Sequence, residues 1–128
     1  MNILKPTDIE NEVRLALKDY ITAYVRPLPE GFVTPSVLIT ETGGGSSNTI
    51  DTFTIVIDSR AKTDAEALDL MNTAIGILEA QTAAQVGALR SVKINSLARW
   101  GNDPARPDLK LCTATVLIRA HREAVTIP

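Results

Sequence analysis

The most constraining feature of this chain is a run that alternates without a break from Leu109 through about His121. Lys110, Cys112, Ala114, Val116, Ile118 and Ala120 fall on one side of an extended backbone, and Leu111, Thr113, Thr115, Leu117, Arg119 and His121 on the other. Period two marks a β-strand, because successive side chains point to opposite faces of the pleat. At roughly 3.3 Å per residue such a strand could reach ~40 Å, and edges of that length demand partners. Three other segments offer them. Ser36 to Thr42, introduced by Pro35, is short and β-branched, and Asp51 to Ser59 places Phe53, Ile55 and Ile57 on one face, the expected core face. A third strand holds Val92 and Ile94 in one phase and reaches Trp100. Leu97 breaks that phase, which predicts a bulge or a change of face.

Two helices interrupt the strands. Thr7 and Glu10 stand at the spacing of a capping box after Pro6, so a helix is expected from near Asp8. Ile9, Val13, Ala16, Leu17, Tyr20, Ile21 and Tyr24 continue it in steps of three and four. Arg26-Pro27-Leu28-Pro29-Glu30-Gly31 ends it, since proline has no amide hydrogen and restricts the residue before it. Thr63 and Glu66 form a second box, with Asp64 in the first turn, where the helix dipole favours negative charge. The stripe Ala65, Leu68, Met71, Ile75 and Leu78 carries that helix to about Ala83.

The order helix, strand, strand, helix, strand, strand indicates an α+β fold: a mainly antiparallel four-stranded sheet with both helices packed on one face. A length of 128 residues suits one domain spanning residues 1–128. With 45% hydrophobic residues the chain is too apolar to be disordered. Two connections stand out. Gly43-Gly44-Gly45-Ser46-Ser47-Asn48-Thr49-Ile50 is longer and richer in glycine than a tight hairpin requires, and is expected to be a loop that does not order by itself. Gly101 to Asp108, with Asn102-Asp103-Pro104, reads as the tip of a second hairpin.

Chemical signatures are sparse. His121 is the only histidine and Cys112 the only cysteine, so a zinc site would need pooled subunits, and a disulfide within the chain is impossible. Cys112 reads as a buried thiol and His121 as an exposed strand residue. The carboxylates Asp51, Asp58, Asp64, Glu66 and Asp69 are explained by strand ends and helix capping. The glycine run leads to a strand rather than a helix and lacks the Lys-Ser/Thr ending of a phosphate loop. Five aromatics, Tyr20, Tyr24, Phe32, Phe53 and Trp100, are a thin supply for stacking bases. No catalytic residue, cofactor-binding motif or metal site is expected, and no small-molecule substrate.

Net charge is −2, which advertises neither sequence-specific nucleic-acid binding nor attraction to an anionic membrane. The distribution is uneven. Residues 1–85 carry six Lys/Arg against twelve Asp/Glu, and residues 86–128 carry seven against three. Two acidic helices explain this, and so does a subunit that meets copies of itself head to tail. No run approaches the ~18 apolar residues of a spanning helix, and MNILKPTDIENEV has no leader-like core, so the chain is expected to be soluble and intracellular at synthesis. The glycine loop and the very long final strand would both be better satisfied inside an assembly.

The amphipathic opening helix, the strand after Pro35, Asp51-Thr52-Phe53-Thr54-Ile55-Val56-Ile57-Asp58-Ser59-Arg60-Ala61 leading into the helix of Ala65 to Leu78, and Trp100 to Pro107 followed by Thr113 to Ala120 together resemble the tail terminator proteins of long-tailed bacteriophages, also known as tail completion or minor tail proteins. The likeness is one of order, length and loop placement across nearly the whole chain. It implies a non-enzymatic structural subunit that forms a hexameric ring on the finished tail tube, ends tube polymerisation and presents the surface that joins the capsid. Its implied partners are further copies of itself, the tail tube protein and the head–tail connector protein. Its implied location is the virion, at the head–tail junction, after assembly in the host cytoplasm. In that family the long loop between the first two strands orders on assembly, and Gly43 to Ile50 occupies that place. The contact candidates are Gly43, Gly44, Gly45, Ser46, Ser47 and Asn48 in the loop, with Arg99, Trp100, Asp103 and Arg106 around the second hairpin tip. Two alternatives stay open: a head-closure or connector adaptor, and a small nucleic-acid-binding or enzymatic domain with sites shared between subunits. The enzymatic reading would gather His121 with carboxylates in a pocket.

Overall fold

A computed structural model describes residues 1–47 and 49–128, with the side chains of residues 97 and 98 outside that description. The elements run β1 (Asn2–Lys5), α1 (Ile9–Leu17), β2 (Ala23–Val25), β3 (Ser36–Ser47), β4 (Ile50–Ala61), α2 (Asp64–Ala83), β5 (Leu89–Asn102), β6 (Lys110–His121) and β7 (Glu123–Thr126). The fold is α+β, with two helices and a mixed, mostly antiparallel sheet. Its main sheet has five strands rather than four, in the order β2-β3-β4-β6-β5, and β1 pairs with β7 in a separate two-stranded ribbon. Only β2 runs parallel to its neighbour among the described strands.

Alternation decides which face is buried. Ile55 and Ile57 on β4, Val37 and Ile39 on β3, and Cys112, Ala114, Val116 and Ile118 on β6 are buried together with Ile9, Val13 and Leu17 of α1 and Met71, Ala74 and Leu78 of α2. Phe53 packs against the rim of this core. On the opposite face Leu38, Val56, Leu111 and Leu117 are only half-buried, interleaved with Thr40, Thr54, Thr113 and Thr115. α2 lies across β4, β5 and β6, and α1 against β2, β3 and α2.

Both helix starts are capped, one of them by an unexpected residue. Thr63 accepts from the Glu66 amide at 3.2 Å, and α2 ends at Ala83 as expected, but its buried face runs through Ala67 and Leu70, leaving Ala65 and Leu68 of the expected stripe exposed. At α1 the cap is Asp8, which accepts from the Asn11 amide, and Thr7 lies outside the helix. Glu10 does not reach back to the helix start, because Arg26 and the Glu41 amide both donate to its carboxylate. α1 is also half the expected length. After Leu17 the chain turns, and Ala23–Val25, read as the end of the helical stripe, instead pairs in parallel with Val37–Ile39. A ladder to β3 supplies hydrogen bonds that a helix running into Pro27 could not.

Two further corrections concern the hairpins. Gly43 to Ser47 does not form a loop: β3 continues through it, paired with Ile50 to Thr54 of β4, after a register shift between Glu41 and Gly43. Ser47 and Ile50 are register partners, so two positions separate the strands where the sequence reading placed eight. Glycine weakens a strand but leaves its amide and carbonyl free to pair, and at Gly44 it is required, because a Cβ there would overlap the Thr52 carbonyl oxygen. The long strand β6 likewise needs no outside partner, since it lies between β4 and β5. On β5 the register shifts twice between Ile94 and Arg99, around the break of phase at Leu97.

Candidate functional site

Register places the contact candidates at opposite ends of the sheet. Gly45, Thr52, Arg119 and Ser91 form one transverse row, and Ser36, Arg60, Leu111 and Gly101 another. Gly43, Gly44, Gly45, Ser46 and Ser47 are exposed at the first end, on the outer edge of β3. Asn48 lies outside the described residues. Arg99, Trp100, Asp103 and Arg106 are at or beyond the second end. Arg99 and Trp100 are register partners of Thr113 and Cys112, so they point to opposite faces of β5, and Trp100 keeps 54% of its surface exposed.

Asp103 and Arg106 are engaged inside the chain. Arg60 Nε donates to Asp103 Oδ2 at 3.0 Å, with both side chains nearly nine-tenths covered, while Asp103 Oδ1 accepts from the Ala105 amide. The Arg60 hydrogen bond holds the Asp103 carboxyl below the ordinary carboxylate range. Arg106 pairs with Asp108 through two hydrogen bonds. The guanidinium carbons of Arg60 and Arg106 lie 5.9 and 5.4 Å from the centre of the Phe32 ring, within cation–π reach. This cluster closes the hairpin tip over the segment between β2 and β3.

A second polar cluster sits at the glycine end, where the sequence points to Ser46 as a contact and Asp51 as a strand-end carboxylate but not to Arg122. Arg122 grips Asp51 from two nitrogens, at 3.1 Å each to Oδ2 and Oδ1, and donates to Ser46 Oγ at 2.9 Å. Its amide also donates to the Thr49 carbonyl. The hydrogen bonds from Arg122 and Ser46 hold Asp51 below the ordinary range. One signal was legible: Asp51 shares the alternation phase of Phe53 and Ile55, and a carboxylate on a core face requires a partner. Glu10 is comparable. Burial pushes its carboxyl up, but the Arg26 guanidinium and the Glu41 amide outweigh that and hold it low.

The histidine does border a hollow with carboxylates. Thr7, Asp8, Glu12, Arg90, His121 and Glu123 line a surface depression of about 510 Å³ between the start of α1, the start of β5 and the end of β6. Its charged groups have structural work: Asp8 caps α1, Glu12 accepts from the Ala88 amide, Arg90 donates to two carbonyls, and Glu123 pairs with Lys5. No serine or cysteine borders it. Buried Cys112 lies on the core face, where burial pushes its thiol up and away from the reactive thiolate. Among the described residues no three His, Cys, Asp or Glu side chains gather as metal ligands, and no helix is long and apolar enough to cross a membrane.

The structure leaves its unsatisfied groups on backbone edges and apolar patches. β2 pairs with Val37, Leu38 and Ile39 alone, so beyond them the outer edge of β3 meets no strand among the described residues. Glu10 covers the Glu41 amide, and past it Gly43 to Ser47 carries no charged side chain. The β1–β7 ribbon is the other unsupported feature. Beyond marginal contact no other helix or strand packs on it, and Met1, Leu4 and Ile127 are 78%, 48% and 40% exposed. No family model and no curated protein matches the chain.

Proposed function

We propose that the chain is a structural, non-enzymatic assembly subunit of the tail-terminator kind, which closes into a ring, most simply of six copies, on the end of a phage tail tube. There it ends tube growth and offers the surface that the head–tail connector meets. The observation that carries the reading is where the molecule is left unsatisfied. Its ion pairs are spent on holding hairpins and segments together, while the glycine edge of β3 and the ribbon lack partners. Such surfaces suit protein contact. The element order supports it too, with the hairpin of β3 and β4 where terminator proteins keep the segment that responds to assembly. Neither β6 nor the glycine segment needs an assembly to be ordered, because β6 lies between β4 and β5 and Gly43 to Ser47 pairs with β4.

The test is tube growth. Purified chain added to polymerising tail tube protein is expected to arrest elongation at substoichiometric amounts, read as the length distribution of tubes by electron microscopy. Unchanged lengths at excess chain contradict the proposal. The hollow at His121 favours a second reading, a small polar ligand site, on which His121→Ala would abolish activity. On the structural reading this variant arrests tubes as well as the parent chain.

A further inference from the structure

Among the described residues, the β1–β7 ribbon and the outer edge of β3 past Ile39 each lack a neighbouring strand. A two-stranded ribbon with no core beneath it is marginally stable in water, and this one exposes Met1, Leu4 and Ile127. The edge of β3 is the converse: a supported strand whose outward amides and carbonyls have no strand to pair with past Ile39. Natural edges are blunted by charges, prolines or bulges. β5, the opposite edge of the sheet, is blunted by register shifts and the exposed cations Lys93 and Arg99. Past the bulge at Glu41, Gly43 to Ser47 carries no charge or proline of its own, and the one guanidinium that reaches it, that of Arg122, is held by Asp51 and the Ser46 hydroxyl.

We propose that the ribbon of one copy adds along the β3 edge at Gly43–Ser47 of the next copy, continuing the main sheet across the junction. Three observations favour a second copy as the occupant. The lengths match, four residues in each ribbon strand against five along the edge. The edge is also open: Gly43 to Ser47 are all exposed, and the three glycines bring no side chain to crowd an incoming strand. The ribbon also springs from the end of the molecule where the edge lies: Pro6 after β1 and Arg122 before β7 border one hollow with Gly43, Gly44, Gly45 and Ser46. Rotation about a ring axis keeps heights equal, so a cyclic head-to-tail contact requires donor and acceptor patches at one level. The ribbon does not pair with its own β3, which leaves both halves free for neighbours. Strand addition of this type takes its affinity from main-chain hydrogen bonds, which glycine does not impede.

The inference deepens the ring reading and rests on it, and its test separates the two. Leu4→Asp alters the ribbon and Gly45→Glu alters the edge. Both positions are exposed and outside the core, so circular dichroism should show a parent-like fold. Mass is then measured in solution up to millimolar concentration. Parent chain is expected to form closed oligomers, each variant alone to stay monomeric, and an equimolar mixture to stop at dimers, because only one intact ribbon and one intact edge remain per pair. Oligomers that survive in either variant overturn the ribbon contact and leave the ring standing. Variants that fall apart but give no dimer on mixing also overturn it. A parent chain that stays monomeric throughout overturns the ribbon contact, and the ring reading then stands or falls with tube arrest.

Discussion

Gly44 and Gly45 sit side by side on β3 yet should answer differently to one added methyl group. At Gly44 the methyl meets the Thr52 carbonyl, and at Gly45 it meets open space. Gly44→Ala should therefore lower stability by more than about 1 kcal/mol, while Gly45→Ala stays within about 0.5 kcal/mol, both read from urea unfolding. The carboxylates make a second prediction. Asp51 and Asp103 are held below their ordinary values by Arg122 and Arg60, so the folded state binds fewer protons than the unfolded state in the acid range. Their contribution is complete above the unfolded value of about 4 and is lost as pH falls through the lower folded values. The urea midpoint should be level near neutrality and decline below about pH 5. Asp51→Asn should be less stable than the parent at neutral pH, with the gap narrowing as acid is added. A gap that widens in acid would contradict the assignment.

At the scale of elements, the two helix starts give a paired test. Thr63→Ala should cost about 1 kcal/mol, because it removes the acceptor of the Glu66 amide, whereas Thr7→Ala should change little, because Asp8 caps α1. The same contrast explains what was legible. β4 and β6 are long enough for their period to declare itself, and the core face read from Phe53, Ile55 and Ile57 is the inward one. The stripe read for α2 holds at Met71, Ile75 and Leu78 but misplaces Ala65 and Leu68, which are exposed while Ala67 and Leu70 are buried. β2 was hidden because Tyr24 extends the helical stripe of Ile9 to Ile21, and only the distant β3 makes its extended form preferable. β1 and β7 are four residues each, too short for a period, and exist by pairing across the whole chain. The glycine strand was read as a loop because composition reports backbone freedom and not the neighbour that removes it. Among candidate site residues, Asp103 and Arg106 were found as a turn, but their engagement with Arg60, Phe32 and Asp108 depends on a fold-back that no local pattern encodes.

At the scale of the whole molecule, the divided charge does not separate into two bodies. The acidic first part and the basic last part are interleaved in one sheet, joined by Arg60 to Asp103 and Asp51 to Arg122. Among the outward charges, the α2 surface carries Asp64, Glu66, Asp69 and Glu79 and no basic residue, and the β5 edge carries Lys93 and Arg99. Exposed charges of this kind steer encounter more than they set affinity, so added salt should slow ring formation more than it loosens formed rings, read as assembly kinetics by light scattering. The central claim is the ring on the tube. Electron microscopy of tail tubes mixed with the purified chain tests it most directly. The account predicts a ring seated on one end of each tube, of six copies at 13.8 kDa, or about 83 kDa. Bare tube ends beside a free 13.8 kDa monomer would contradict it.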